Sequence, residues 1–154
     1  MTKALALALV TACGAADHAA PSLAAPPSGP PAAGEWATWS RDQKRAYMES
    51  TVMPAERALF VGFEPARYAR FDCRVCHGLH ANGGTYKMPD PELPKLVGGA
   101  DGFGELKQHE PEVLHFMQQV VAPETAELLG LPVFDMEKHV GFSCWNCHLR
   151  YDKP

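Results

Sequence analysis

The sequence has no continuous basic run, no apolar stretch that could cross a bilayer, and no pair of cysteines left for a structural disulfide. Each absence narrows the reading. Formal charge is −4, and removal of residues 1–12 would take away Lys3 and leave −5. The nearest basic patch, "RDQKR" (41–45), is interrupted by Asp42 and reads as a solvated helix face. Phosphate binding is driven by a basic surface, so nucleic acid is not an expected partner. The apolar or small run at residues 4–12 falls well short of the roughly 20 residues a spanning helix needs. Of five cysteines, four sit in two C-x-x-C-H motifs and Cys13 stands alone, so disulfides do not indicate the compartment.

What is present begins with an address. "MTKALALALVTAC" runs from Lys3 through a short apolar segment to Cys13, the order of a secretory signal. "VTAC" (10–13) resembles the bacterial lipobox, with Val10 where Leu is more usual. The expectation is a lipoprotein signal peptide over 1–12 and a lipid anchor at Cys13. The plainer alternative is an ordinary signal with an incidental cysteine. Residues 14–35 are Ala, Pro, Gly and Ser with almost nothing to bury, so 13–35 reads as an anchored tether. Pro-rich chain of this length would reach about 60 Å.

The chemistry lies in "CRVCH" (73–77) and "CWNCH" (144–148). C-x-x-C-H reads as a c-type haem attachment site. Cys73, Cys76, Cys144 and Cys147 would hold two covalently bound haem c groups by thioethers, with His77 and His148 as proximal iron ligands. The four cysteines could instead make one all-thiolate zinc site. The His after each pair, which such a site does not need, and the export signal both favour haem.

The opposite iron ligands must be sought upstream, since the six residues after His148 include no Met. An internal repeat supplies candidates. "YMESTVMPAERALF" (47–60) aligns with "FMQQVVAPETAELL" (116–129), matching Met48 to Met117, Val52 to Val121, Pro54 to Pro123 and Leu59 to Leu128. A Gly/Pro turn comes next in each, then Phe71 or Phe142 two residues before the first motif cysteine. One supersecondary unit used twice is expected, with one haem each.

For the second haem the candidates are Met117, Met136, His109, His115 and His139; only Met117 has a counterpart in the first unit, Met48. Each lies on an apolar helix face, Met117 with Val113, Val120 and Val121, and Met48 with Thr51 and Val52. A thioether there can lie over a porphyrin, and as a soft ligand it raises the potential above that of a second imidazole. Core filling is the ordinary role of such a Met. Met88, in the Pro-rich "YKMPDPELPKL" (86–96), is the alternative for the first haem. If Met48 ligates, residues 78–108 become an irregular cover over that haem.

Ser40 and Gln43 form a capping box that starts a helix at Arg41, and Pro111 marks a second helix start. Pro54 and Pro123 each remove a backbone bond six residues after the Met, predicting a kink or a break.

A Met-bearing helix, a turn, then C-x-x-C-H resembles the tetrahaem cytochrome subunit of photosynthetic reaction centres and its dihaem relatives in non-phototrophic bacteria. The resemblance covers 41–77 and 111–148 and rests on Met48, Cys73, Cys76, His77, Met117, Cys144, Cys147 and His148. The chain departs in having two motifs, not four, and a longer Met-to-Cys segment with an internal Pro. The resemblance implies distal Met ligation and two haems close enough for rapid electron exchange.

The expected fold is mainly α, with two repeated helix–turn–CxxCH units around two haems over 36–154 and little or no β-sheet. The expected function is single-electron transfer between redox partners by a lipid-anchored, periplasm-facing cytochrome on the inner or outer membrane, with no enzymatic activity. Two alternatives stand beside it. One is a five-coordinate haem protein for gas binding or peroxide reduction, served by His80, His109 or His115. The other is a fixed subunit of a larger respiratory complex.

Overall fold

The computed structural model describes residues 29–97 and 103–151; the expected signal peptide (1–12), the Cys13 anchor and tether residues 14–28 lie outside them. The described chain is mainly α-helical. A short helix α1 (Glu35–Thr38) leads into α2 (Arg41–Tyr47). The capping box at its start is complete. Ser40 Oγ accepts from the Gln43 backbone N–H at 3.2 Å, and Gln43 Oε1 accepts from the Ser40 N–H at 2.9 Å.

Pro54 does not end this helix. A π turn, Met48–Val52, intervenes, and α3 (Met53–Phe63) continues from it with Pro54 in its first turn. The Met53 N–H donates to the Met48 carbonyl, five residues back. Pro54 has no N–H to give to Ser50, and the wider turn takes up the mismatch. The second long helix is built the same way: α6 (Pro111–Phe116), a π turn Met117–Val121, then α7 (Ala122–Leu128). Ala122 N–H donates to the Met117 carbonyl. Both methionines therefore open a π turn, and both prolines sit one residue into the helix beyond it.

Between them lie α4 (Arg74–His77), a 3₁₀ turn Leu79–Gly83, strand β1 (Leu96–Val97) and α5 (Gly104–His109). After α7 the chain is irregular until a 3₁₀ turn, Cys144–Asn146, and strand β2 (Arg150–Tyr151). β1 and β2 pair in parallel, Leu96 with Arg150 and Val97 with Tyr151, making the only sheet among the described residues. No helix among them is long and apolar enough to cross a membrane.

The two long helices pack with α3 on the π turn of the second helix and α7 on the π turn of the first. They meet through two apolar clusters. One holds Trp39, Tyr47, Val52, Ala126, Leu128, Leu129 and Phe142. The other centres on Phe60, Phe71 and Phe116, where Phe60 meets Tyr68, Phe71 and Phe116 at ring centroids 4.9, 5.1 and 5.2 Å apart. Gly130 (φ +61) ends the second helix, and a Cβ there would collide with the Pro31 carbonyl. Buried Pro31 thus docks residues just before α1 onto the helix end, so packing starts a few residues ahead of Trp36.

Candidate functional site

In the first motif a single helical turn sets the geometry. His77 N–H donates to the Cys73 carbonyl at 2.9 Å, which places Cys73, Cys76 and His77 on one face at helical spacing. Asp72 accepts from the Arg74 N–H at 2.9 Å and starts the turn. In the second motif His148 N–H donates to the Cys144 carbonyl at 2.8 Å. Ser143 and Asn146 cap that turn, with Asn146 Oδ1 accepting from the Ser143 N–H at 2.7 Å. Phe71 and Phe142, two residues ahead of the cysteines, are buried anchors.

The two histidines are held differently. His148 Nδ1 lies 2.9 Å from the Pro94 carbonyl. A carbonyl can only accept, so Nδ1 carries the proton and Nε2 is left with its lone pair for a metal. His77 stands edge-on to Tyr86, ring centroids 5.4 Å apart, and burial pushes its pKa down, keeping it neutral, against the opposing pull of Asp90. His77 Nδ1 is enclosed without a hydrogen-bond partner, and so is one oxygen, Oδ2, of the fully buried Asp90. Asp90 ties the two motifs together. Its N–H donates to the Cys147 carbonyl at 3.1 Å, while its carboxylate oxygen Oδ1 lies 2.9 Å from where a Cβ on Gly78, next to His77, would be, with Glu92 Oε2 nearer still at 2.5 Å. Gly78 has φ +56, so the residue after His77 needs glycine for both space and conformation.

The segment expected to cover the first motif alone serves both. Tyr86 reaches His77, but Asp90 pairs with His148 in a parallel bridge and Leu96 N–H donates to the Leu149 carbonyl at 3.0 Å. Met88 is half-buried between these contacts and belongs to neither apolar cluster.

The thiols of Cys76, Cys144 and Cys147 are neutral. Burial, reinforced by the negative charge of Glu56, pushes Cys76 up to about 12 and Cys147 up to about 11, and burial raises Cys144. A thiol redox pair wants a depressed value. Nor do the four cysteines converge as a zinc site would. Among the described residues the His/Cys/Asp/Glu group whose ligand atoms lie within 4.8 Å of one another is His80, Asp90 and Glu92. All four cysteines are free thiols.

The methionines are not placed alike. Met48 packs on the cluster that also takes Cys147, and Met117 on the cluster that takes Cys76 and Val75. Met136 is 75 % exposed, and His80, His109, His115 and His139 are all exposed.

Glu56 has no motif to mark it in the sequence. It lies in α3, 4 % exposed, and feels both Cys76 and Cys147. Thr125 Oγ1 stands 2.7 Å from Glu56 Oε1 and 2.7 Å from the Val121 carbonyl; Glu56 Oε2 has no partner. Thr125 has one proton for two acceptors. If Glu56 is protonated at Oε1 it donates to Thr125, which donates to Val121, so each of these two contacts has its own proton and Oε2 alone is left without a partner. Burial accordingly raises Glu56 from 4.5 to about 7, helped by the nearby charge of Glu124 and opposed by Thr125. The repeat holds the one signal for this pair: Glu56 and Thr125 each stand two residues after the aligned prolines, so equivalent positions of the two helices meet.

No family model, curated protein or solved structure matches the chain.

Proposed function

We propose that this protein is a dihaem c-type cytochrome that carries single electrons between redox partners. The observation that carries the reading is the pair of C-x-x-C-H motifs, each folded into a tight turn and one with its histidine held by the Pro94 carbonyl through Nδ1. That bond is the support a metal-binding imidazole needs, because it fixes the tautomer and the ring orientation. Neutral, half-buried cysteines beside each histidine are ready for thioether bonds.

Covalently held haem would supply a one-electron iron couple. Cys73 and Cys76 would fix one porphyrin, and Cys144 and Cys147 the other. His77 and His148 would bind iron, and the thioethers of Met48 and Met117 would close the opposite faces. With both faces closed no position is left for a substrate, which favours transfer over catalysis. The common helix–π turn–helix build of the two Met-bearing segments supports a repeated unit. A lipid anchor at Cys13 and the tether after it would hold the domain at a bacterial membrane, facing the periplasm and within reach of soluble and membrane-bound partners.

The test is the haem content and visible spectrum of the exported protein. Two haems per chain, a weak red-edge Met–iron band and no response to carbon monoxide are expected. Carbon monoxide binding at native pH would show an open iron and move the reading to gas binding or peroxide chemistry.

A further inference from the structure

The repeat invites the assignment of each methionine to the motif next after it in sequence. The packing points the other way. We infer that the ligands cross: Met48 completes the iron held by His148, and Met117 the iron held by His77. The inference rests on the dihaem reading above.

The first argument is distance along the helix. Phe71 anchors the first motif and packs on Phe60. Met48 is twelve residues before Phe60 on the same continuous helix, or about 18 Å at 1.5 Å per residue. That separation puts Met48 at a different cluster from the one that anchors the first motif and takes Cys76. Phe60 instead packs on Phe116, the neighbour of Met117, and Met117 shares the cluster that receives Cys76.

The second argument is the same geometry at the other end. Phe142 anchors the second motif in the cluster of Tyr47 and Val52, and Met48 packs on that cluster with Cys147. Tyr47 Oη donates to the Leu128 carbonyl at 2.8 Å and locks the start of the first helix to the end of the second. Met117 is eleven residues before Leu128, about 16 Å away.

Contacts between the helices give the common cause. Each helix lays the segment beyond its proline on the other's π turn. The Met of each helix is therefore carried to the far end, beside the partner helix's outgoing chain. Met53 is the one own-helix competitor, since it packs on the cluster that takes Cys76. Its aligned position in the second helix is Ala122. Crossing has a consequence: neither half of the repeat could close its own iron, so the two units form one indivisible module.

The experiment uses the full-length holoprotein, reduced, with ¹³C-methyl methionine, after haem per chain has been counted. Iron-bound Met methyls shift far upfield in the haem ring current, and Met48→Leu and Met117→Leu, which nearly conserve volume, assign the two resonances. Nuclear Overhauser contacts then link each methyl to its haem and that haem to its thioether cysteines. Crossing predicts that the Met48 methyl reports the haem of Cys144 and Cys147, and Met117 the haem of Cys73 and Cys76. Each single variant should lose one shifted methyl, keep the other, and rise from zero to one carbon monoxide bound per chain. A Met48 methyl on the haem of Cys73 and Cys76 would overturn crossing and leave the dihaem reading intact. A shifted Met53 methyl would overturn it at the first haem. Absence of haem from the chain would overturn the dihaem reading itself, and crossing with it.

Discussion

Replacing Glu56 by Gln should remove a pH dependence of stability that centres on one carboxyl. Burial holds Glu56 at about 7 against an ordinary 4.5. Between those values the folded protein keeps a proton that the unfolded chain has released. The unfolded state then binds fewer protons, so stability falls as pH rises through the window and the loss is complete above about 7. A shift from 4.5 to about 7 corresponds to roughly 3 kcal/mol as an upper bound. Burial sets the shift, Thr125 opposes it and the charge of Glu124 adds to it, while Cys76 and Cys147, whose thiols Glu56 helps to keep protonated, face the same carboxyl. Gln has the shape of the protonated acid, and its amide can donate to Thr125 while Thr125 donates to Val121. Guanidinium unfolding of wild type and Glu56→Gln, followed by circular dichroism from pH 5 to 8, isolates the group because all other titrations cancel in the difference. The variant should match wild type near pH 5 and exceed it by up to about 3 kcal/mol at pH 8. A difference that stays constant across this range would refute the reasoning.

Other outcomes rest on the packing. Phe60→Ala should cost about 3–5 kcal/mol in denaturant unfolding, because Phe60 joins three other rings between the first motif and the second helix. Gly130→Ala should lose on the order of 1–2 kcal/mol, since its positive φ and the Pro31 carbonyl both oppose a Cβ. Limited proteolysis should then cut more readily between residues 29 and 35. Asp90→Asn removes a buried negative charge beside His77, so redox titration of the holoprotein should show one potential raised by tens of millivolts, with a smaller change at the other.

Much of the helical framework is written locally. Ser40 and Gln43 start the first long helix where a capping box says they should, and Pro111 opens α6. The anchoring phenylalanines and both C-x-x-C-H motifs are likewise plain in the sequence. The backbone around Pro54 and Pro123 is less legible. A proline announces the loss of one hydrogen bond but not the π turn that absorbs it. Nearness in sequence assigns the cover segment to the first motif. Its pairing with residues 147–151 is a parallel, long-range contact that no local pattern announces. Alignment finds Met48 and Met117 but is silent on which motif each one meets; the way two helices cross decides that. Glu56 is hidden because an isolated Glu on a helix normally faces water. Only its aligned partner Thr125 hints that both positions fall where the helices touch.

The protein should be produced in a host that attaches c-type haem, purified, and its haem counted against chain concentration, with spectra of both oxidation states taken with and without carbon monoxide. Two covalent haems per chain, a red-edge Met–iron band in the oxidised form and indifference to carbon monoxide are the expected result. A chain without haem, its four cysteines titrating as free thiols or holding zinc, would end the cytochrome reading.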